Sequence, residues 1–226
     1  GSSRTDLEMS LIEPWFLNRR LSLGLDLYRR ENKYFSDEYD QVNTGGSLTL
    51  GMPFFSFNRI NWIYGLENID IRNVETNASD LIRQEGGGRL KSYGTVELIR
   101  DTRDSTFVAT RGFRGSAAAT LAGGPFGAET DFYGLQLRAS QYVPLWFDHV
   151  LNLRGWTALV QEYGDSDRVP IFDRFFMGGP RTVRAFKYRQ VGPKDVNEEP
   201  LGGRTAANIS LEYTMPVVEK IRLAVF

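Results

Sequence analysis

Residues Arg20–Tyr28 read RLSLGLDLY. Leu21, Leu23, Leu25 and Leu27 alternate with Ser22, Gly24, Asp26 and Tyr28. Successive side chains of an extended chain point to opposite sides, so this repeat of two makes a strand with one greasy and one polar face. The pattern recurs along the chain. Leu48, Leu50 and Met52 stand against Ser47, Thr49 and Gly51. Tyr133, Leu135, Leu137 and Ala139 stand against Gln136, Arg138 and Ser140. Ile209, Leu211 and Tyr213 stand against Asn208, Ser210 and Glu212. No segment sustains a helical period, so the fold class is all-β.

The same procedure predicts about ten strands, near 6–15, 20–32, 41–52, 59–74, 90–101, 111–123, 130–143, 149–163, 203–215 and 220–226. Several exceed ten residues, which is long for a globular strand and long enough to cross a bilayer when tilted. The connections alternate in length. Short ones follow Pro14, Pro53, Pro144 and Pro216, and longer ones fall near 33–41, 75–90 and 164–203. The link near 124–129 is the short exception on the long side. Short turns at one end and long loops at the other describe an antiparallel transmembrane β-barrel. Proline closes a ladder because it has no N–H to give. Trp15, Phe16, Phe54, Phe55, Trp146 and Phe147 sit beside those prolines and are expected to form an aromatic girdle at a membrane interface. A soluble β-protein with packed strand ends is the competing reading. Glu8, Asp26, Glu67, Arg138 and Glu212 on the polar face fit a wet lumen better than a sandwich core.

Composition agrees. Aromatics make up 13% of the 226 residues and there are 23 glycines, a mix suited to strands and tight turns. The net charge of -1 gives no basic excess for nucleic acid. The absence of cysteine removes disulfides and thiolate metal sites. One histidine, His149, cannot build a multi-imidazole site, and neither a metal nor a cofactor is expected. No apolar run of about 18 residues is present for a transmembrane helix. The chain starts at Gly1 without a visible signal peptide and reads as a processed chain or a fragment. No linker, charge block or low-complexity tract marks a domain boundary.

Several short motifs invite a site. Glu85–Leu90, EGGGRL, lacks the Lys-Ser/Thr and the helix of a phosphate loop and is expected to be a flexible surface loop. Asp101–Asp104, DTRD, has no further ligand cluster and reads as a solvated strand end. Asn77 and Asn208 open acceptor-like triplets too short to count.

The exceptional stretch is Phe172–Asp195, FDRFFMGGPRTVRAFKYRQVGPKD, which is too long for a hairpin turn. A loop that folds into a polar lumen needs backbone freedom, which Gly178, Gly179 and Gly192 supply. It needs apolar mass, from Phe175, Phe176 and Phe186, and an anchor. A guanidinium suits that task because it stays charged and binds carboxylates bidentately. Arg184 is the candidate, with Glu212 on the polar face of the next strand as partner. On chemistry alone, an exposed loop with a chance arginine stands equal to this.

RFFMGGPRTVRAF…VGPKD followed by LGGRT…ISLEYTMP resembles the BamA/TamA superfamily of outer-membrane assembly barrels. The family's Val-Arg-Gly-Phe/Tyr tetrad matches Val183, Arg184, Ala185 and Phe186. Its flanking pairs match Arg174-Phe175, Gly178-Gly179 and Gly192-Pro193. LIRDTRDSTFVATRG resembles a second family segment, with Ala109 in place of a proline. The resemblance implies that Arg184 grips an acidic wall residue, Glu212, and so holds the loop inside the barrel. Ala185 stands where the family has glycine, which costs about 1 kcal/mol or more if the position needs positive φ.

The resemblance further implies that residues 1–226 are about ten strands of a sixteen-strand barrel. The first and last strands and the periplasmic transport-associated domains are absent. Alone, such a piece leaves two open edges that lipid does not tolerate. The implied function is folding and insertion of β-barrel proteins in the bacterial outer membrane, without catalysis. The implied partners are nascent outer-membrane barrels, outer-membrane lipid and accessory assembly lipoproteins, with no nucleic acid. A secretion pore of the same superfamily, exporting a polypeptide, is the alternative.

Overall fold

The computed structural model describes residues 4–32, 39–76, 78–218 and 221–225. Ten strands follow one another: β1 (Arg4–Glu13), β2 (Ser22–Asn32), β3 (Asp40–Pro53), β4 (Asn58–Arg72) and β5 (Gly87–Asp101), then β6 (Gly112–Ala122), β7 (Phe132–Pro144), β8 (Val150–Glu162), β9 (Thr205–Val218) and β10 (Ile221–Val225). They form one sheet in sequence order, each pairing antiparallel with the next. β1 and β10 are its two edges. Every expected strand is present, with ends displaced by a few residues.

Register turns the alternation into continuous rows. Leu50, Trp62, Val96, Ala119, Leu135 and Leu159 are successive cross-strand partners. Leu11, Leu25, Leu48 and Tyr64 form a neighbouring row. Leu135 is 47% exposed and Ile209 79%. Such an apolar face is stable only against lipid or a partner. The opposite face carries Glu8, Tyr28, Gly45, Glu67 and Lys91 in one row.

The polarity of the two faces reverses near the long-loop end of β4. Ile60, Trp62, Tyr64 and Leu66 lie on the apolar face, but beyond Glu67 the inward Ile69 and Ile71 are buried. Asn68, Asp70 and Arg72 then take the outer side. The apolar stretch of seven residues spans about 23 Å along the strand, close to the roughly 25 Å band of an outer-membrane barrel.

The packed cores lie at this end. Ile69, Ile71, Tyr39, Ala78, Ile82 and Ile171 form one cluster, and Ala122, Phe132, Val160 and Val169 another. The first holds a five-residue helix, α1 (Asp80–Gln84), too short to leave a helical period in the sequence. Burial pushes the Tyr39 hydroxyl pKa above that of an ordinary tyrosine, opposed by Arg189.

Three local expectations are corrected. The EGGGRL stretch is not a loose surface loop. Glu85 is 1% exposed, with Arg168 at 3.4 Å and Arg89 at 3.5 Å, and Gly87 opens β5. Burial pushes the Glu85 carboxyl up, opposed first by Arg89. The DTRD stretch is a built turn. Arg103 grips Asp101 with two bonds of 2.9 and 2.8 Å. Asp104 accepts from the Thr110 hydroxyl and amide and from the Arg111 amide, and the Thr110 hydroxyl leads in lowering its pKa to about 2. β9 runs past Pro216, because the register shift at Ile221/Arg222 absorbs the missing donor on an edge pair. Pro53 and Pro144 end their strands as expected. Asn77 and Phe226 lie outside the described residues.

Candidate functional site: a loop held against the inner wall

The segment between β8 and β9, residues 163–204, turns back onto the polar face instead of standing clear of it. Its own pairing makes it a narrow double strand, with bridges Phe175–Gly203, Met177–Val191 and Lys194–Pro200. The tip closes locally. Gly178 N–H donates to the Thr182 hydroxyl at 2.8 Å, and that hydroxyl donates to the Gly178 carbonyl at 3.0 Å. Gly178, Gly179 and Gly192 have φ of 113°, 87° and 134°, which only glycine adopts without strain. A Cβ on Gly178 would lie 2.2 Å from the Lys187 carbonyl oxygen.

The loop touches the wall at three depths. Nearest the long-loop end, Lys91 of β5 lies 2.8 Å from Asp173 of the loop and 3.1 Å from Glu67 of β4. All three side chains are at most 13% exposed. Asn43 donates to the other oxygen of Glu67 at 2.8 Å. Burial pushes the Asp173 carboxyl up, and Lys91 opposes it. Beside this, Arg174 donates to the carbonyls of Val169 and Leu201, closing the base of the loop, and Phe175 packs against Trp156. Halfway down, Asn208 of β9 donates to the Thr182 carbonyl at 3.2 Å. Deepest, Arg184 reaches Glu212 at 3.9 Å. Asn208 to Glu212 is four residues, so the two lower contacts lie about 13 Å apart along the strand.

The geometry around Arg184 differs from the bidentate grip expected from sequence. Arg154 of β8 takes the short contact to Glu212, 2.7 Å, and Arg184 shares the same oxygen from farther away. Arg184 also donates to the Pro180 carbonyl at 3.2 Å. One carboxylate therefore faces two guanidiniums. Val183, Ala185 and Phe186 lie at this tip, and Phe186 is exposed. Ala185 is not at positive φ, so alanine bears no backbone penalty there. Arg189 is left-handed, φ 62°, stacks 3.6 Å over Phe176 and donates to the Tyr39 hydroxyl. Pro193 accepts from Leu201 N–H at 2.9 Å.

Lys91, Asp173, Arg154 and Arg189 were not singled out from sequence. Lys91 has the parity of the polar face, but its partner Asp173 is 82 residues away. Trp15, Phe16, Phe54, Phe55, Trp146 and Phe147 all fall at the short-turn end, in the β1–β2, β3–β4 and β7–β8 connections. His149 contacts the Tyr213 hydroxyl through Nδ1. Among the described residues no group of three or more His, Cys, Asp or Glu could hold a metal.

An open sheet of long strands with a greasy outer face and an anchored inner loop can be compared with known proteins. Residues 1–226 match the Omp85 superfamily domain. The chain belongs to the Omp85 superfamily. It is 29% identical over 214 residues to the outer membrane protein assembly factor BamA of Nitratidesulfovibrio vulgaris, covering 94% of this chain and 27% of that protein. The human sorting and assembly machinery component 50 homolog is 25% identical over 221 residues, 96% of this chain and 46% of its own. The crystal structure of BamA from Haemophilus ducreyi lacking POTRA domains 1–3 superimposes with a TM-score of 0.81 at 21% identity, covering 96% of this chain and 46% of that one. The chain thus spans between about a quarter and a half of the length of these relatives. An Omp85 sheet of this kind is part of an outer-membrane β-barrel.

Proposed function

We propose that this Omp85 segment is the middle of the barrel of a bacterial outer-membrane assembly factor, which folds and inserts other β-barrel proteins. The observation that carries this is a long loop joined to the inner wall at three depths, in a family whose matched members include assembly factors by name. Arg184, Glu212 and Arg154 act as the deep lock. Lys91, Asp173 and Glu67 act as the upper one. The loop motif Arg174–Phe186 with Gly192 and Pro193 shapes the piece that fits the lumen. The aromatic turns mark the membrane interface on the short-turn side.

Assembly of this kind needs no bond made or broken, so no catalytic residue is assigned. Client strands are templated at a sheet edge, where unpaired backbone groups invite a new strand. The working edge belongs to strands of the barrel outside this chain, and the segment described supplies scaffold and lock. Nascent outer-membrane barrels are the substrates, and accessory lipoproteins join from the periplasm. A polypeptide-exporting pore would need the loop to leave the lumen, against all three anchors.

The test is reconstitution of the full-length protein in lipid vesicles, followed by insertion of a urea-unfolded outer-membrane barrel read by heat-modifiable gel mobility. Faster insertion than into empty vesicles is expected. An equal rate, together with passage of an unfolded polypeptide into the vesicle interior, would assign the protein to export instead.

A further inference from the structure

The short-turn rim carries two guanidiniums that no described residue partners. Arg19 and Arg20 lie in the β1–β2 connection. Among the described residues, neither side chain takes part in an ion pair or hydrogen bond. The acid nearest Arg19 in sequence, Glu13, accepts from the Trp15 amide at 2.9 Å. Both arginines line an open bowl of about 700 Å³ with Leu21, Met52, Pro53 and Phe55.

The bowl is ordered from apolar to charged along the membrane normal. Leu21 and Met52 share parity with Leu23 and Leu50, so they belong to the lipid-facing side. Phe55, 88% exposed, sits at the rim with φ 49°. Leu17, in the β1–β2 connection, is exposed with φ 56°. Left-handed backbone at leucine and phenylalanine is unfavourable, and it serves here to hold apolar side chains outward. Guanidinium is the side chain best matched to phosphate, by charge and by its planar fork.

We infer that this bowl binds the phosphate headgroup of a phospholipid from the leaflet on the short-turn side. The acyl chains run along Leu21 and Met52 up the outer face, and the phosphate lies between Arg19 and Arg20. The site ties this hairpin to lipid at a fixed depth. The inference rests on the outer-membrane placement of the sheet and is independent of what the protein assembles.

The test uses the full-length protein carrying Phe55→benzoylphenylalanine in vesicles of phosphatidylethanolamine and phosphatidylglycerol. After illumination, mass spectrometry should find a phospholipid adduct at position 55. Arg19→Gln with Arg20→Gln should lower its yield about tenfold, as expected for the loss of two exposed charge-assisted contacts. Arg19→Lys with Arg20→Lys should retain part of it. Gel mobility of each variant separates a lost site from failed insertion. In detergent, native mass spectrometry of the unsubstituted protein should show dioctanoyl phosphatidylglycerol retained and dioctanoylglycerol lost. An unchanged yield in the glutamine variant, an adduct to polypeptide in place of lipid, or equal retention of the two lipids would overturn the site.

Discussion

Lys91 holds two carboxylates at once, one on the wall and one on the loop, and all three groups are shielded from water. Removing one member of a buried charge cluster costs more than the cluster contributes, because the remaining charges lose their compensation. Lys91→Met leaves Glu67 and Asp173 facing each other. It should destabilise the docked loop by about 3–5 kcal/mol. The readout is trypsin cleavage after Arg189, which is 6% exposed in the docked loop. Unchanged cleavage would contradict the upper anchor. Ala185→Gly makes the opposite point. The position is not left-handed, so restoring the family's glycine should bring no gain in thermal stability and should cost up to about 1 kcal/mol in backbone entropy. The glycines at 178, 179 and 192 were legible in sequence because a positive φ needs that residue. The cost at Ala185 was conditional on a positive φ, and that φ depends on how the tip packs. Lys91–Asp173 was hidden for a related reason: parity names the face, but only register and loop path name the partner.

The strands were almost fully legible. All but β10 are ten residues or longer, the alternation gives them one apolar face, and prolines stand at or near the turns that close them. The reversal of polarity beyond Glu67 was not drawn from the sequence, since Ile69 and Ile71 continue an alternation that only the third dimension assigns inward. The two faces should respond oppositely to charge. Leu135→Arg on the lipid-facing row should cost roughly 2–4 kcal/mol, read by the folding equilibrium of the full-length protein in lipid vesicles. Gln136→Arg, one residue along and on the lumen side, should be nearly neutral. Equal costs would mean that the assigned faces are wrong. The turn from Thr102 to Arg111 shows where motif reading fell short. Its acids looked like a solvated end, yet Asp104 closes the turn through Thr110 and Arg111.

At the scale of the molecule, an open ten-strand sheet presents two edges, and its packed apolar clusters lie at the long-loop end. Between that end and the short turns, the inner space is bridged by the loop and its charges. The deepest contact is a shared carboxylate, with Arg154 at 2.7 Å and Arg184 at 3.9 Å from the same oxygen of Glu212. This arrangement ranks the effects of charge reversal. Glu212→Arg collects three guanidiniums and should be the most damaging. Arg184→Glu leaves Arg154 able to bridge two carboxylates and should be milder. The double exchange restores a carboxylate facing two guanidiniums. The most direct measurement is therefore assembly of an outer-membrane reporter barrel by the full-length protein carrying Glu212→Arg, Arg184→Glu, or both. A loop locked to the wall predicts a severe defect, an intermediate one, and substantial recovery in the pair. Normal assembly by Glu212→Arg, or a pair no better than Glu212→Arg alone, would contradict it.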